Sequence, residues 1–350
     1  MKYVFIAASV LLVLAAAAFL LSPSPINAAA YQPPEAPPLT GLMEPNEALS
    51  AIEVLAKGQA LGPEDVDADP QGRIYGALAD GRIIRVNLDG STETLANTQG
   101  RPLGLDWDNQ GNLIICDAFK GLMALNPDGV LSTLVTEVDG IPINFADDLE
   151  VAKDGMIYFS DASQRYDQKH YVQDMLEARP WGRLLRYDPN TKQTVTLLNN
   201  LYFANGIALS QEEDFVLINE TYRYQITRLW LRGEKAGQTD LFASNLPGFP
   251  DGISSSGRGT FWLALATTRN PTADWLHPRP WLKNQLAKLP KWLQPKPELY
   301  GLIVELDEQG DIIRSLHDPA GDTYPFITSV QERGQQVYLG SLVADGIGRL

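Results

Sequence analysis

Two stretches of this chain can be laid over each other almost residue for residue. Pro63 to Leu95 reads PEDVDADPQGRIYGALADGRIIRVNLDGSTETL, and Pro102 to Leu134 reads PLGLDWDNQGNLIICDAFKGLMALNPDGVLSTL. Each holds a strand, a D-x-x-G turn, an Ile-rich strand, a Gly turn, a third strand ending in N-x-D-G and a short fourth strand. A third copy runs from Asp147 through IYFSD and RLLRYDPNTKQTVTLL. The fourth is ANGIALSQEEDFVLINE with ITRLWLRG and TDLFA, and the fifth is PDGISSSGRGTFWLALA with GLIVELDEQGDIIRSL. A last fragment, ITSVQERGQQVYLGSLVADGIGRL, supplies three strands, and Ala51 to Ala56 (AIEVLA) is the candidate for its fourth.

Four-strand units recurring every 40 to 50 residues or so are the signature of propeller blades. The expected fold class is therefore all-β, a six-bladed β-propeller spanning residues 51–350. A pair of stacked β-sandwiches would also give short strands at regular spacing, but not the same four-strand order each time. Closing the ring with the early strand joins the two ends of the domain and removes an open sheet edge.

The repeats also align a column of side chains. The residue eight places before the turn glycine is Glu64, Leu103, Asp147 and Asp251 in four copies, and the equivalent slot before Gln211 to Asp214 is Asn205. The innermost strand of each blade lines the channel, so Glu64, Asp147, Asn205 and Asp251 are expected to face one another, with Leu103 between the first two. Three carboxylates in a narrow channel repel unless they are protonated or neutralised by a cation. Carboxylates with an amide oxygen suit a hard ion such as Ca2+, and another divalent cation can take the same place. Zinc is disfavoured because no His or Cys stands in the column. Any one of these groups alone is better read as a strand cap or a partner for backbone amides; the shared register favours the metal.

A net charge of -15 argues against a nucleic-acid partner, which needs a basic face. The single cysteine, Cys116, lies in the apolar strand LIICDA and reads as a buried small hydrophobe.

Residues 1–30 are of another kind. After Lys2, the run Tyr3 to Leu21 holds no charge and is long enough to cross a bilayer as a helix. Lys2 precedes it, and Glu35, Glu44 and Glu47 follow, so the expected product is a membrane-anchored propeller on the extracytoplasmic side. Cleavage after Ala30 would instead make it secreted. Residues 31–50 read as a Pro-rich extended linker.

One insertion, at residues 270–299, exceeds every other loop. Trp275, Leu276, Trp281, Leu282, Leu286, Leu289, Trp292 and Leu293 recur at roughly helical spacing, broken by Pro290, among Arg279, Lys283, Lys288, Lys291 and Lys296. This composition fits both an interfacial segment resting on a membrane lipid surface and a lid over the channel mouth.

With GPED, FADDL, ANGIALS and GFPDGI in place, the chain resembles the strictosidine synthase-like branch of the gluconolactonase, regucalcin (SMP-30) and paraoxonase superfamily, in its adipocyte plasma membrane-associated protein type. The RPW-x-K insertion (Arg279, Pro280, Trp281, Lys283), an N-terminal signal anchor and the ending from Ser315 to Asp322 with Tyr338 to Ser341 carry the same resemblance. It implies a catalytic ion held by Glu64, Asp147, Asn205 and Asp251, with Asp251 as the catalytic residue. Two departures stand out. Asp147 occupies a position that is usually Asn, and Thr328 stands where strictosidine synthases carry their acid/base glutamate.

The expectation is a calcium-dependent hydrolase of apolar esters or lactones. The alternative is a non-catalytic, membrane-anchored propeller scaffold or binding protein, and the third reading is a strictosidine synthase-type carbon-nitrogen lyase, which Thr328 disfavours. His170 and His277 lie in insertions that could reach over the channel, whereas His317 in SLHDP reads as structural.

Overall fold

The computed structural model describes residues 2–294 and 297–350, and it is a six-bladed β-propeller preceded by a helix, α1 (Lys2–Leu21). Blade 1 comprises Val66–Ala68, Ile74–Ala77, Arg82–Val86 and Thr92–Asn97, all antiparallel. The inner strands of blades 2 to 6 are Pro102–Trp107, Ala146–Val151, Ala204–Leu209, Gly248–Ser255 and Ile327–Arg333. Blade 6 takes its outermost strand from the N-terminal side: Glu53–Leu55 pairs antiparallel with Ile347–Arg349.

Middle strands such as Leu113–Asp117, Ile157–Asp161 and Phe215–Glu220 are buried on both faces, so the core is divided between the spaces separating neighbouring blades. One cluster joins Ile114, Cys116 and Leu122 of blade 2 to Leu149, Phe159 and Leu185 of blade 3. Truncating a buried aromatic such as Phe159 to Ala costs about 3–5 kcal/mol in sites of this kind. Cys116 is fully buried and burial pushes its thiol pKa well up, consistent with a packing role.

The inner strands of blades 2 to 6 share an irregularity. Their ladders break at 102–105, 146–149, 204–207, 250–253 and 327–329. In blades 2 to 5 the bulge takes two consecutive residues out of the ladder and re-aims their side chains, and in blade 6 it takes one, Thr328. The second residue of the pair is Gly104, Gly206 or Gly252 in blades 2, 4 and 5. At Gly206 a Cβ would collide with the carbonyl oxygen of Asp251, so only glycine lets blades 4 and 5 approach this closely.

Two insertions rise from one face of the ring. The first, between the second and third strands of blade 3, carries α2 (Tyr171–Glu177). The second, in blade 5, carries α3 (Pro271–Leu276) and α4 (Pro280–Leu286), each opening with proline at its first turn. The helical spacing of this region thus resolves into two short helices, followed past Pro290 by a turn of 3-10 helix at Lys291–Leu293. Lys296 lies outside the described residues.

The chain between α1 and the ring packs across both insertions. Asn27 N donates to Glu177 Oε2 (2.8 Å), Ala29 N to Glu177 O (2.8 Å), Ala28 N to Asn284 Oδ1 (3.2 Å) and Tyr31 N to His277 O (3.0 Å). Ile26 and Ala28 are buried with Tyr166, Leu176 and Ala287. Further on, Asn245 and Arg269 bond the carbonyls of Glu35 and Pro34, and Leu49 is fully buried. Residues 24–35 are a strap across the insertions, with more contacts than a spacer's composition suggests.

Candidate metal centre and its cavity

Leu103, Asp147, Asn205 and Asp251 sit in the bulges, and Glu64 just before the inner strand of blade 1. Glu64, Leu103, Asp147, Asn205 and Asp251 all line the floor of one cavity of about 440 Å³ on the axis of the ring. All five are buried. Asn205 Nδ2 donates to Asp251 Oδ1 at 2.8 Å and reaches Thr221 Oγ1 at 3.2 Å; Asn219 Nδ2 donates to the Asp251 carbonyl.

The floor is electrostatically tense. Burial raises the Glu64 and Asp147 carboxyls far above the usual range; the charge of Asp251 adds to both, and that of Asp147 adds to Glu64. Asp251 is pushed up to about 7 by burial, against the hydrogen bond from Asn205. Arg101, buried nearby with Nη1 on the Gly62 carbonyl (3.0 Å), offsets part of the repulsion.

The donor set is three hard carboxylates and an amide with excess negative charge, which is chemistry suited to calcium. The side chains do not form a closed cage. Among the described residues, no group of three or more His, Cys, Asp or Glu is arranged to hold a metal ion. Asn205 also presents its NH2 to Asp251, and rotating that amide would offer Oδ1 to a cation. The residues fit the ion by type and share one cavity floor, but they are not gathered into a coordination shell, and one amide is turned as a donor.

Behind the column lies a second layer. Asp65 Oδ2 accepts from Leu105 N (2.8 Å) in blade 2, and Asp148 Oδ2 accepts from Ile207 N (2.8 Å) in blade 4. Both amides directly follow a bulge, so these carboxylates satisfy groups that the broken ladder leaves open. Asp106 Oδ2 of blade 2 likewise ties to blade 3, accepting from Val151 N at 2.7 Å near the far end of that inner strand. Adjacent acids in the sequence therefore divide the work, Glu64 and Asp147 facing the cavity while Asp65 and Asp148 tie neighbouring blades.

Phe145, Phe203, Tyr222 and Phe249 wall the cavity, and Phe203 stacks on Tyr222 with centroids 4.5 Å apart. Phe203 and Phe326 hold left-handed backbone conformations (φ 58° and 50°), a cost that bulky residues bear only where the surroundings impose it. Residues of α2, α3 and α4 form the roof.

The three histidines separate. His277 is buried in the roof and lines the cavity. His170 is half exposed and faces Asp167 (2.5 Å), away from the cavity lining. His317 is buried between Tyr300 OH and Ser315 Oγ, each at 2.9 Å, as a structural residue. Thr328 Oγ1 donates to the Glu64 carbonyl at 2.6 Å, so its hydroxyl serves the joint between blades 6 and 1.

This fold and axial site define a class, the strictosidine synthase-like propellers. Residues 147–234 match the family model described as strictosidine synthase, and residues 41–86 match the one described as strictosidine synthase-like, N-terminal. The adipocyte plasma membrane-associated protein of Rattus norvegicus is 35% identical over 374 residues, covering 100% of this chain and 99% of the relative. The chain belongs to the adipocyte plasma membrane-associated protein family. A gluconolactonase from Xanthomonas campestris shares the fold at a TM-score of 0.61 and 17% identity, covering 94% of this chain and 98% of its own. The calcium-binding protein regucalcin from Agrobacterium tumefaciens does so at 0.61 and 13% identity, covering 85% and 92%.

Proposed function

We propose that this chain is a calcium-dependent hydrolase of apolar esters or lactones, with Glu64, Asp147, Asn205 and Asp251 as ion ligands and Asp251 as the reactive carboxylate. The observation that carries this reading is the gathering of three mutually repelling, buried carboxylates and one amide at the floor of a cavity walled by aromatic rings. When bound, a dication there polarises a carbonyl and stabilises the negative charge developing on its oxygen.

Asp251 is held for its role by Asn205 on its side chain and Asn219 on its backbone. A carboxylate beside a dication is a weak base, so Asp251 orients the attacking water or attacks the carbonyl carbon itself. The phenyl walls exclude bulk water and select apolar acyl or aryl groups. Fold kinship with proteins named gluconolactonase and calcium-binding regucalcin supports the reading by analogy.

We place the propeller on the extracytoplasmic side of a membrane, with α1 as an uncleaved signal anchor. Tyr3–Leu21 has the length and apolarity to span, and the relatives are named plasma membrane-associated. The contacts of Asn27, Ala28 and Ala29 with the roof favour retention of residues that cleavage after Ala30 would remove. Lys288 Nζ donates to the carbonyls of Phe19 (3.0 Å) and Leu20 (3.3 Å), bringing the end of the anchor to the roof. Trp275, Trp281, Trp292 and Leu293 are exposed there, as suits a lipid-facing surface.

The test is turnover of phenyl acetate and an aliphatic lactone by the purified full chain, with calcium, with chelator and as Asp251→Asn. Activity lost under both treatments supports the hydrolase. One observation favours the non-catalytic binding propeller instead: Asn205 and Asp251 already satisfy each other by a hydrogen bond. That reading predicts no turnover under any condition.

A further inference from the structure

The roof of the cavity holds an ammonium and an imidazole that nothing in the fold balances. Lys283 is fully buried and lines the cavity, with Nζ donating to the Ala29 carbonyl at 2.6 Å. Among the described residues it forms no ion pair, and the charge acting on it is Arg223, also positive. His277, 3% exposed, lines the same space, and neither ring nitrogen has a hydrogen-bond partner. The other cations at this end are committed. Arg269 binds Asp274 (2.8 Å), and Arg223 lies against the rings of Tyr31 and Tyr202.

A buried ammonium without a counter-charge and an unpartnered imidazole are each costly. Burial and the nearby Lys283 charge lower the His277 pKa to about 3, so the ring is neutral. A ligand anion would pair with the ammonium and accept from the ring's single N–H. We propose that Lys283 and His277 form an anion subsite, receiving the single carboxylate of an amphiphilic ligand whose apolar body lies along Phe145, Phe203 and Phe249 towards the floor. Two donors match the two oxygens of one carboxylate, and one ammonium matches one negative charge. The acidic floor repels the same group, so the ligand has only one electrostatically favourable orientation. Burial lowers the Lys283 pKa to about 8, which leaves it mostly charged at neutral pH. This names the far end of the substrate of the proposed hydrolase, and it rests on that reading only for events at the floor.

The test is calorimetric binding of octanoate and 1-octanol to the full chain in lipid nanodiscs, with chelator present so that no cation at the floor competes for the carboxylate. Octanoate is expected to bind roughly tenfold more tightly than octanol, the scale of a hydrogen bond to a charged group. Lys283→Met should bring octanoate down to the octanol level while octanol is unchanged, Lys283→Arg should keep the preference, and His277→Phe should reduce it. Equal affinity in the wild type, or a preference that survives Lys283→Met, overturns the subsite. Asp251→Asn, which removes the proposed hydrolysis, should leave the preference intact. A preference without turnover thus sinks only the hydrolase, and turnover without a preference sinks only the subsite.

Discussion

The floor and roof of the cavity are built by opposite strategies. The floor repeats one device: the inner strands of blades 2 to 5 bulge at the same register, each delivering one side chain to the axis, and Glu64 joins them from just before the inner strand of blade 1. The roof repeats nothing. It is assembled from α2, α3, α4 and the strap, held by isolated contacts such as Asn284 with Ala28. The floor's groups have the rigidity of five strands behind them, which suits chemistry that needs fixed geometry. The roof is joined by short helices and single side-chain bonds rather than by strand ladders, and is the part able to yield to a ligand.

That contrast can be broken at several points. The largest effect is expected at the floor: Asp251→Asn should lower turnover by about 10²–10³-fold, the usual scale for one electrostatic catalytic group, with little change in melting temperature. Rates and a melt on the same sample check this.

Calcium should stabilise the protein by about 2.7 kcal/mol at a hundred times its dissociation constant, and the benefit should grow with pH. Asp251 and Asp65 are raised to about 7 by burial, so the native ion-free state binds protons more tightly than the unfolded chain does. Its stability is complete below about pH 4 and is lost as pH rises through 7, whereas cation binding strengthens as those protons leave. Melting scans with chelator and with calcium from pH 4 to 8 should therefore diverge. Parallel curves would mean that protons alone keep the floor neutral.

Leu103→Asn fills the one apolar place in the column, and a further oxygen ligand should tighten calcium binding about tenfold. Unchanged affinity by calorimetry would show that the ion, if bound, sits away from blade 2.

At the roof, Asn284→Ala removes the acceptor for Ala28 N and should cost about 1 kcal/mol. The sharper readout is a rise in KM with kcat preserved. The smallest stability change belongs to Trp281→Ser with Trp292→Ser, within about 0.5 kcal/mol for exposed sites, accompanied by weaker binding to anionic vesicles. A fall in kcat equal to the rise in KM at Asn284 would erase the distinction between floor and roof.

The same contrast explains what could be read without coordinates. Strand periodicity and turn glycines revealed the blades, the closing strand Glu53–Leu55 and the facing of Glu64, Asp147, Asn205 and Asp251, because each recurs with the blade. The bulges were hidden, since an extra residue leaves the alternation on either side intact. The ties made by Asp65 and Asp148 were hidden too, because their partners lie 40 and 59 residues away in other blades. Nothing periodic marks Lys283 or His277. The basic, tryptophan-rich stretch around them fits a lid and a lipid surface equally well. Residues 24–35 have the Pro and Ala content of a connector, and their two large apolar side chains, Ile26 and Tyr31, follow no period that would mark them as packed.

The seam in blade 6 has a consequence for how the molecule is made. Glu53–Leu55 emerges early in synthesis and must wait for its partner Ile347–Arg349. Five blades can condense in order, but the circle shuts only once Ile347–Arg349 is in place, so removing that strand would leave Glu53–Leu55 and Gln336–Ser341 with bare edges.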